Sequence, residues 1–247
     1  MNQNKLWLSF ELIARQYGTM APLRDLIDFY CDRDGNARTP GEQRLDPSKI
    51  DPRFGATIVY PGCKFMGSTV TATQFQQTGC TIKKYTVYDE HTPTAAEKSI
   101  GDTESPIDYM ILRYADILLM YAEADLMLNN GSPSDEGVEA MNRIVQRARG
   151  LNQGVAVTED DTPGFGNYDT YTLEDILLER ARELCFERWR WYDLARTGML
   201  EHFLENRNGF STTKTSFDSD KNYLFPIPLS EIQISTNKDG MYQNPNY

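Results

Sequence analysis

Between Tyr171 and Gly198 the chain reads Tyr-Thr-Leu-Glu-Asp-Ile-Leu-Leu-Glu-Arg-Ala-Arg-Glu-Leu-Cys-Phe-Glu-Arg-Trp-Arg-Trp-Tyr-Asp-Leu-Ala-Arg-Thr-Gly, and this stretch commits it to a helical core. Thr172 can cap the N-terminus with Asp175 reaching back, and Tyr171 and Ile176 have the spacing of a hydrophobic staple. Leu173, Ile176, Leu177, Ala181, Leu184, Cys185, Arg188, Trp191, Tyr192 and Ala195 recur at three-and-four spacing. The spacing predicts one helix from Thr172 to the Gly198 stop, with a stripe that other helices must cover. Trp191 falls on that stripe and is expected in the core; Trp189 points elsewhere and is expected to cover a second neighbour.

The charges of this helix invite an active-site reading, which the spacing does not favour. Glu179, Glu183 and Glu187 lie four apart on one face, whereas a glycosidase needs acids facing each other across about 5–9.5 Å. Arg182 and Arg190 follow Glu179 and Glu187 at three residues, so an ion-paired face is expected. Arg180, Arg188 and Arg190 are expected to meet acids of neighbouring helices. No catalytic residue is assigned.

Upstream the patterns are shorter. Leu6 to Tyr17 and Pro22 to Tyr30 read as amphipathic helices, and Cys31 to Pro52 as a long surface loop. Phe54 to Tyr60, Ser68 to Phe75 and Thr78 to Val87 are rich in β-branched and aromatic residues and read as short strands of a hairpin or meander. After Pro106, Tyr114, Ile117, Leu118, Tyr121, Ala124, Asp125 and Leu128 mark a helix ending at Asn129-Asn130-Gly131. Val138, Met141, Ile144, Val145 and Ala148 mark its antiparallel partner across a short turn. One domain over 1–247 is expected: 1–105 loop-rich with short strands, 106–247 a helical scaffold with a packed tail.

The formal charge of -11 repels phosphate backbones, so nucleic acid is not an expected partner. No window holds the roughly eighteen apolar residues of a membrane span, and Met1 to Lys5 does not read as a secretory signal. Cys31, Cys63, Cys80 and Cys185, with His91 and His202, lack metal-site spacing, so neither metal nor cofactor is expected. Cys185 reads as a buried thiol; Cys63 and Cys80 are left open between free thiols and a disulfide, with free thiols preferred.

Several separate stretches then agree in order and spacing. Arg113-Tyr-Ala-Asp-Ile-Leu-Leu-Met-Tyr-Ala-Glu-Ala124, Met141-Asn-Arg-Ile-Val-Gln-Arg-Ala-Arg-Gly150, Leu178 to Arg196, Phe225-Pro-Ile-Pro-Leu-Ser-Glu-Ile232 and Gln243-Asn-Pro-Asn-Tyr247 resemble the C-terminal half of SusD/RagB-family outer-membrane lipoproteins. Asp51-Pro-Arg-Phe54 and Lys83-Lys-Tyr85 are weaker marks of the same family. The resemblance implies a mainly α fold of tetratricopeptide-like antiparallel helix pairs, with long irregular loops and a small β-hairpin or meander. It also implies a non-catalytic binder of oligosaccharide or another nutrient, lipid-anchored at the cell surface, partnered by a SusC-like TonB-dependent outer-membrane transporter. The alternative is a helical-repeat protein-interaction module on that transporter. Two positions depart from the family: Arg188 stands where a small residue, often Gly, is usual, and Asn246 replaces a usual Gly.

The matching stretches are scaffold marks and carry no ligand residue across. Saccharides need flat rings against pyranose C–H faces, with polar groups around them. The aromatics outside the main helices are therefore the expected ligand contacts: Trp7, Tyr17, Tyr60, Phe65, Tyr85 and Tyr88.

Overall fold

In a computed structural model, the structure describes residues 22, 24–32, 50–72, 79–99, 106–108, 110–150, 168–205, 217–236 and 240–247. Trp7, Tyr17 and the helix read over Leu6–Tyr17 lie outside them. The chain divides into one unit of Met1–Arg190 with Asn208–Phe210, and a second of Trp191–Arg207 with Ser211–Tyr247.

In the first unit α1 (Arg24–Phe29) occupies the expected place, with Ile27 and Tyr30 wholly buried. The stretch read as a strand over Phe54–Tyr60 is instead mostly helix: α2 (Pro52–Thr57) runs into the two-residue β1 (Ile58–Val59). The cause is local. The Asp51 side chain accepts the Arg53 N–H at 2.9 Å, and Pro52 sits where a helix needs no donor, so a helix start overrides the β-branched composition behind it. Then β2 (Lys64–Phe65) and β3 (Ser68–Thr69) form a hairpin closed by Met66 and Gly67, both at positive φ, as a two-residue turn requires. Strand β4 (Thr81–Ile82) pairs antiparallel with β1, and α3 (Ala95–Lys98) is capped by Thr94 and Glu97.

Helices α4 (Tyr114–Leu128) and α5 (Asp135–Gly150) form the expected pair; Asn130 and Gly131 end the first at positive φ. Asp125 secures the turn by accepting the Ser134 N–H at 2.9 Å and hydroxyl at 2.7 Å. A Cβ at Gly137 would collide with the Asp125 carboxylate and the Tyr171 hydroxyl, so α5 needs glycine there. The face of α4 facing inward is not the one the periodicity selected. Ala115, Leu119, Ala122 and Leu126 are buried, while Tyr114, Ile117, Tyr121 and Leu128 are exposed. This helix is apolar on nearly every side, so period alone cannot choose its face, and the smaller residues allow the closer approach.

Next comes α6 (Leu173–Glu183). Its capping box is present: Thr172 Oγ1 accepts the Asp175 N–H at 3.2 Å, and the Asp175 carboxylate accepts the Thr172 N–H at 2.8 Å. Leu119, Ala122, Leu126, Met141, Ile144, Ile176 and Leu184 pack into one core with Tyr171. The single helix expected to Gly198 is broken, however. It stops after Glu183, Phe186 and Arg188 adopt φ of 62° and 71°, and α7 (Arg190–Arg196) starts afresh. The break turns Phe186 toward the cluster of Ile27, Tyr30 and Phe54 and resets the helical phase. The two tryptophans consequently exchange roles: Trp189 packs against the α4–α5–α6 core, and Trp191 is 36% exposed.

Both departures from the family, Arg188 and Asn246, sit at positive φ, 71° and 66°. A left-handed conformation costs a non-glycine residue about 1–2 kcal/mol. Arg188→Gly is therefore expected to stabilise the chain by about 1 kcal/mol, raising the thermal midpoint by roughly 2–4 °C in circular dichroism. A lowered midpoint would show that the contacts of the Arg188 side chain outweigh its backbone strain.

The second unit contains α7 from Trp191 onward, α8 (Leu200–Glu205), α9 (Ser219–Asn222), α10 (Leu229–Ile234) and the tail. Its Phe225-Pro-Ile-Pro228 and Gln243-Asn-Pro-Asn-Tyr247 stretches serve each other. In Pro226-Ile227-Pro228 only Ile227 has an N–H. Gln243 accepts it at 2.7 Å and donates to the Ile227 carbonyl at 2.8 Å, while Asn244 donates to Phe225 and the Tyr247 hydroxyl to Leu224.

Candidate functional site

The first unit carries a cleft of about 540 Å³ between α2–β1, the β2–β3 hairpin and the segment after β4. Asp51 and Arg53 hold α2 down: the Arg53 guanidinium bonds Asp51 at 2.7 Å and also reaches Glu179 on α6. Pro52, Gly55 and Ala56 line the cleft as a low apolar surface, with the wholly buried Ile58 behind them. Around it stand Lys64, Lys83, Asp89, Glu90 and His91. These are fixed through the main chain. Met66 and Gly67 donate to the Asp89 and Glu90 carbonyls at 2.7 and 2.9 Å, and the Lys83 N–H bonds the Thr57 carbonyl at 2.8 Å.

Lys83 Nζ lies 2.7 Å from Asp89, and that hydrogen bond keeps the Asp89 carboxyl below its usual range. His91 Nε2 is 3.0 Å from Glu97, whose carboxyl is lowered first by the Thr94 N–H and then by the Thr94 hydroxyl. Burial pushes the Cys63 thiol up, so it lines the cleft as a neutral group.

Of the aromatics expected to contact ligand, Tyr60 lines the cleft, 4% exposed with its ring 5.0 Å from Phe54. Phe65 is buried with Val59 and Val70, and Tyr88 packs against the same small cluster. Tyr85 is half-buried at φ 63°, with the Lys84 ammonium 5.8 Å from its ring centre. Of the four that are described, the structure thus brings Tyr60 alone into the cleft and puts Phe65 and Tyr88 together in one small cluster. Gly55 and the charged rim were not selected from sequence; the Asp89-Glu90-His91 run at the edge of a turn-rich stretch was the available signal.

Glu179, Glu183 and Glu187 do not form an acid pair. They are buried among cations: Glu179 meets Arg53 and Arg182, Glu183 meets Arg53, Arg113 and Arg147, and Glu187 meets Lys84 and Arg113. The ion-paired reading holds for Glu179 and Arg182, at 2.7 Å. Arg190 instead donates to the Leu177 carbonyl at 2.7 Å and stacks over Phe29. Arg180 meets Asp116 of α4 at 2.8 Å, the inter-helix pairing expected. Among the described residues no group of three or more His, Cys, Asp or Glu could hold a metal ion, and none of the four cysteines forms a disulfide.

Paired helices α4 and α5 with α6 across them, plus two small antiparallel strand pairs, define a mainly α helical-repeat scaffold. The chain belongs to the SusD family, which it matches over residues 13–247. It is 35% identical over 144 residues to the SusD-like protein P2 of Formosa agariphila, a match covering 58% of this chain and 27% of that protein. It is 30% identical over 194 residues to the SusD-like protein P38 of the same organism, covering 78% and 34%. The crystal structure of a SusD-like protein from Bacteroides fragilis superposes with a TM-score of 0.66 at 25% identity, covering 95% of this chain and 49% of that one. The matched stretches therefore span about a third or less of these curated relatives and about half of the solved relative.

Proposed function

We propose that the chain belongs to a non-catalytic oligosaccharide-binding protein of a TonB-dependent nutrient-uptake system, lipid-anchored at the cell outer membrane and partnered by a SusC-like transporter. Membership of the SusD family over residues 13–247 carries this reading. A SusD-like carbohydrate-binding protein of Bacteroides fragilis shares the fold, with a TM-score of 0.61. The cleft supports it on its own terms, since an apolar floor ringed by hydrogen-bonding groups suits a ligand with C–H faces and hydroxyls. The test is calorimetric titration of a version extended to the relatives' length with a panel of oligosaccharides. Binding without release of reducing ends is expected; release of reducing ends, or no binding across the panel, overturns the reading.

One observation favours a protein-docking role on the transporter as the second reading. Helix α4 turns Tyr114, Ile117, Tyr121 and Leu128, 42–82% exposed, away from the core. Capture of the transporter by a version with no saccharide affinity would decide for it.

A further inference from the structure

We propose that the cleft between α2–β1 and the Lys83–His91 segment is a subsite for an uncharged oligosaccharide, kept open by the missing side chain of Gly55; this rests on the saccharide-binding reading above. Glycine inside a helix costs roughly 0.5–1 kcal/mol against alanine, so a local reason is expected wherever one persists. At Gly137 the reason is crowding by Asp125 and Tyr171, and at Gly67 it is a left-handed φ of 77° together with crowding by Thr92. Gly55 has neither excuse. A Cβ there would meet nothing within 4 Å, and its φ is not in the left-handed range. Gly55 lines the cleft, and a side chain at this position would find open space beside it.

The remaining lining fits a polyol. Pro52 and Ala56 continue the low apolar surface on which a pyranose C–H face can lie, and about 540 Å³ falls inside the span of small-molecule sites, about 300–1,000 Å³. A hydroxyl both donates and accepts, so a polyol needs both partners on the rim. Lys64 and Lys83 donate, and Asp89 and Glu90 accept.

The same inventory argues against acidic glycans. Among the described lining residues two lysines, Lys64 and Lys83, stand against three carboxylates, Asp51, Asp89 and Glu90, and Lys83 is already bonded to Asp89 at 2.7 Å. Among the described residues no surplus of lysine or arginine lines the cleft to hold a uronate or a sulfate ester. The chain as a whole carries -11, which repels a polyanion before it arrives.

The experiment titrates the full chain and its Gly55→Leu variant calorimetrically with neutral gluco-, manno-, xylo- and galacto-oligosaccharides, and with oligogalacturonate and oligoalginate. Leucine fills the cleft, and it favours the helix, so the thermal midpoint should be unchanged or raised. The expected result is binding of at least one neutral probe, with affinity at least tenfold weaker in Gly55→Leu and no binding of the acidic probes. Should Gly55→Leu fold poorly, Glu90→Ala, an exposed rim substitution, is expected to weaken binding several-fold with its midpoint intact. Neutral binding of equal strength in a folded Gly55→Leu variant overturns the cleft assignment and leaves saccharide binding standing. Preferential binding of the acidic probes overturns the uncharged class. Failure of every probe on the unsubstituted chain overturns the subsite, while the saccharide reading itself stands or falls with the version extended to the relatives' length.

Discussion

Glu183→Ala is expected to lower the stability of this protein by about 3 kcal/mol or more, the range for breaking a buried ion pair on one side. Glu183 is 4% exposed and serves three guanidiniums from three parts of the chain: Arg53 on α2, Arg113 before α4 and Arg147 on α5. Arg147 is half exposed and can turn to water. Arg53 is not; its side chain is 6% exposed, and without Glu183 it keeps, among the described residues, the carboxylates of Asp51 and Glu179. Arg113 keeps Glu187 at 2.8 Å and the Glu183 carbonyl, so the loss is shared rather than borne by one group. For a chain of this length, about 3 kcal/mol corresponds to roughly 6–12 °C in thermal midpoint, read by circular dichroism. Glu183→Gln keeps the shape and some hydrogen bonds and should cost less. The exposed Lys83–Asp89 pair is the internal control, since Asp89→Asn should change stability by no more than about 1 kcal/mol. A change that small at Glu183 would show that the network reorganises around the missing charge.

This network also marks where reading the sequence stops. The helical starts and stops were legible because they are written locally: the Thr172 and Asp175 box, the Asn130-Gly131 end, the paired periods of α4 and α5. The Glu179–Arg182 pair was legible for the same reason, being three residues apart on one helix. What Glu183 and Glu187 meet was not, because Arg53, Lys84 and Arg113 lie roughly 70 to 130 residues away. The break after Glu183 was hidden too. No Gly or Pro stands between Leu184 and Trp189, so the apolar period runs straight through residues whose backbone turns left-handed. The resemblance held the missing clue in the small residue usual at Arg188. The cleft was illegible for a simpler reason: its most telling residue, Gly55, contributes space and no chemistry.

The pH range of stability follows from the same burial. The Glu179 carboxyl is pushed up by burial, but Arg53 and then Arg182 outweigh this and hold it at about 2, against an ordinary 4.5. A lowered folded pKa stabilises fully above the unfolded value and is lost as pH falls. The acid limb should therefore run from about pH 4.5 down through about 2, and a shift of that size corresponds to about 3 kcal/mol. Glu183, lowered against its own burial by Arg53, Arg147 and Arg113, adds to the same limb. The alkaline limb has a different origin. Burial pushes the Cys185 thiol up from 9.0 to about 12, so its contribution is complete below about pH 9 and lost as pH rises toward 12. The guanidiniums of Arg53, Arg113 and Arg182, raised by their carboxylates, stay charged throughout. A plateau in thermal midpoint between about pH 5 and 9 is expected, falling on both sides. Glu179→Gln should lower the plateau and flatten the acid limb, while Cys185→Ala should flatten only the alkaline one. A midpoint unchanged between pH 5 and 2.5 would mean that Glu179 is not held ionised by its arginines, and that the charges beneath α2 do not stabilise the fold as their geometry requires.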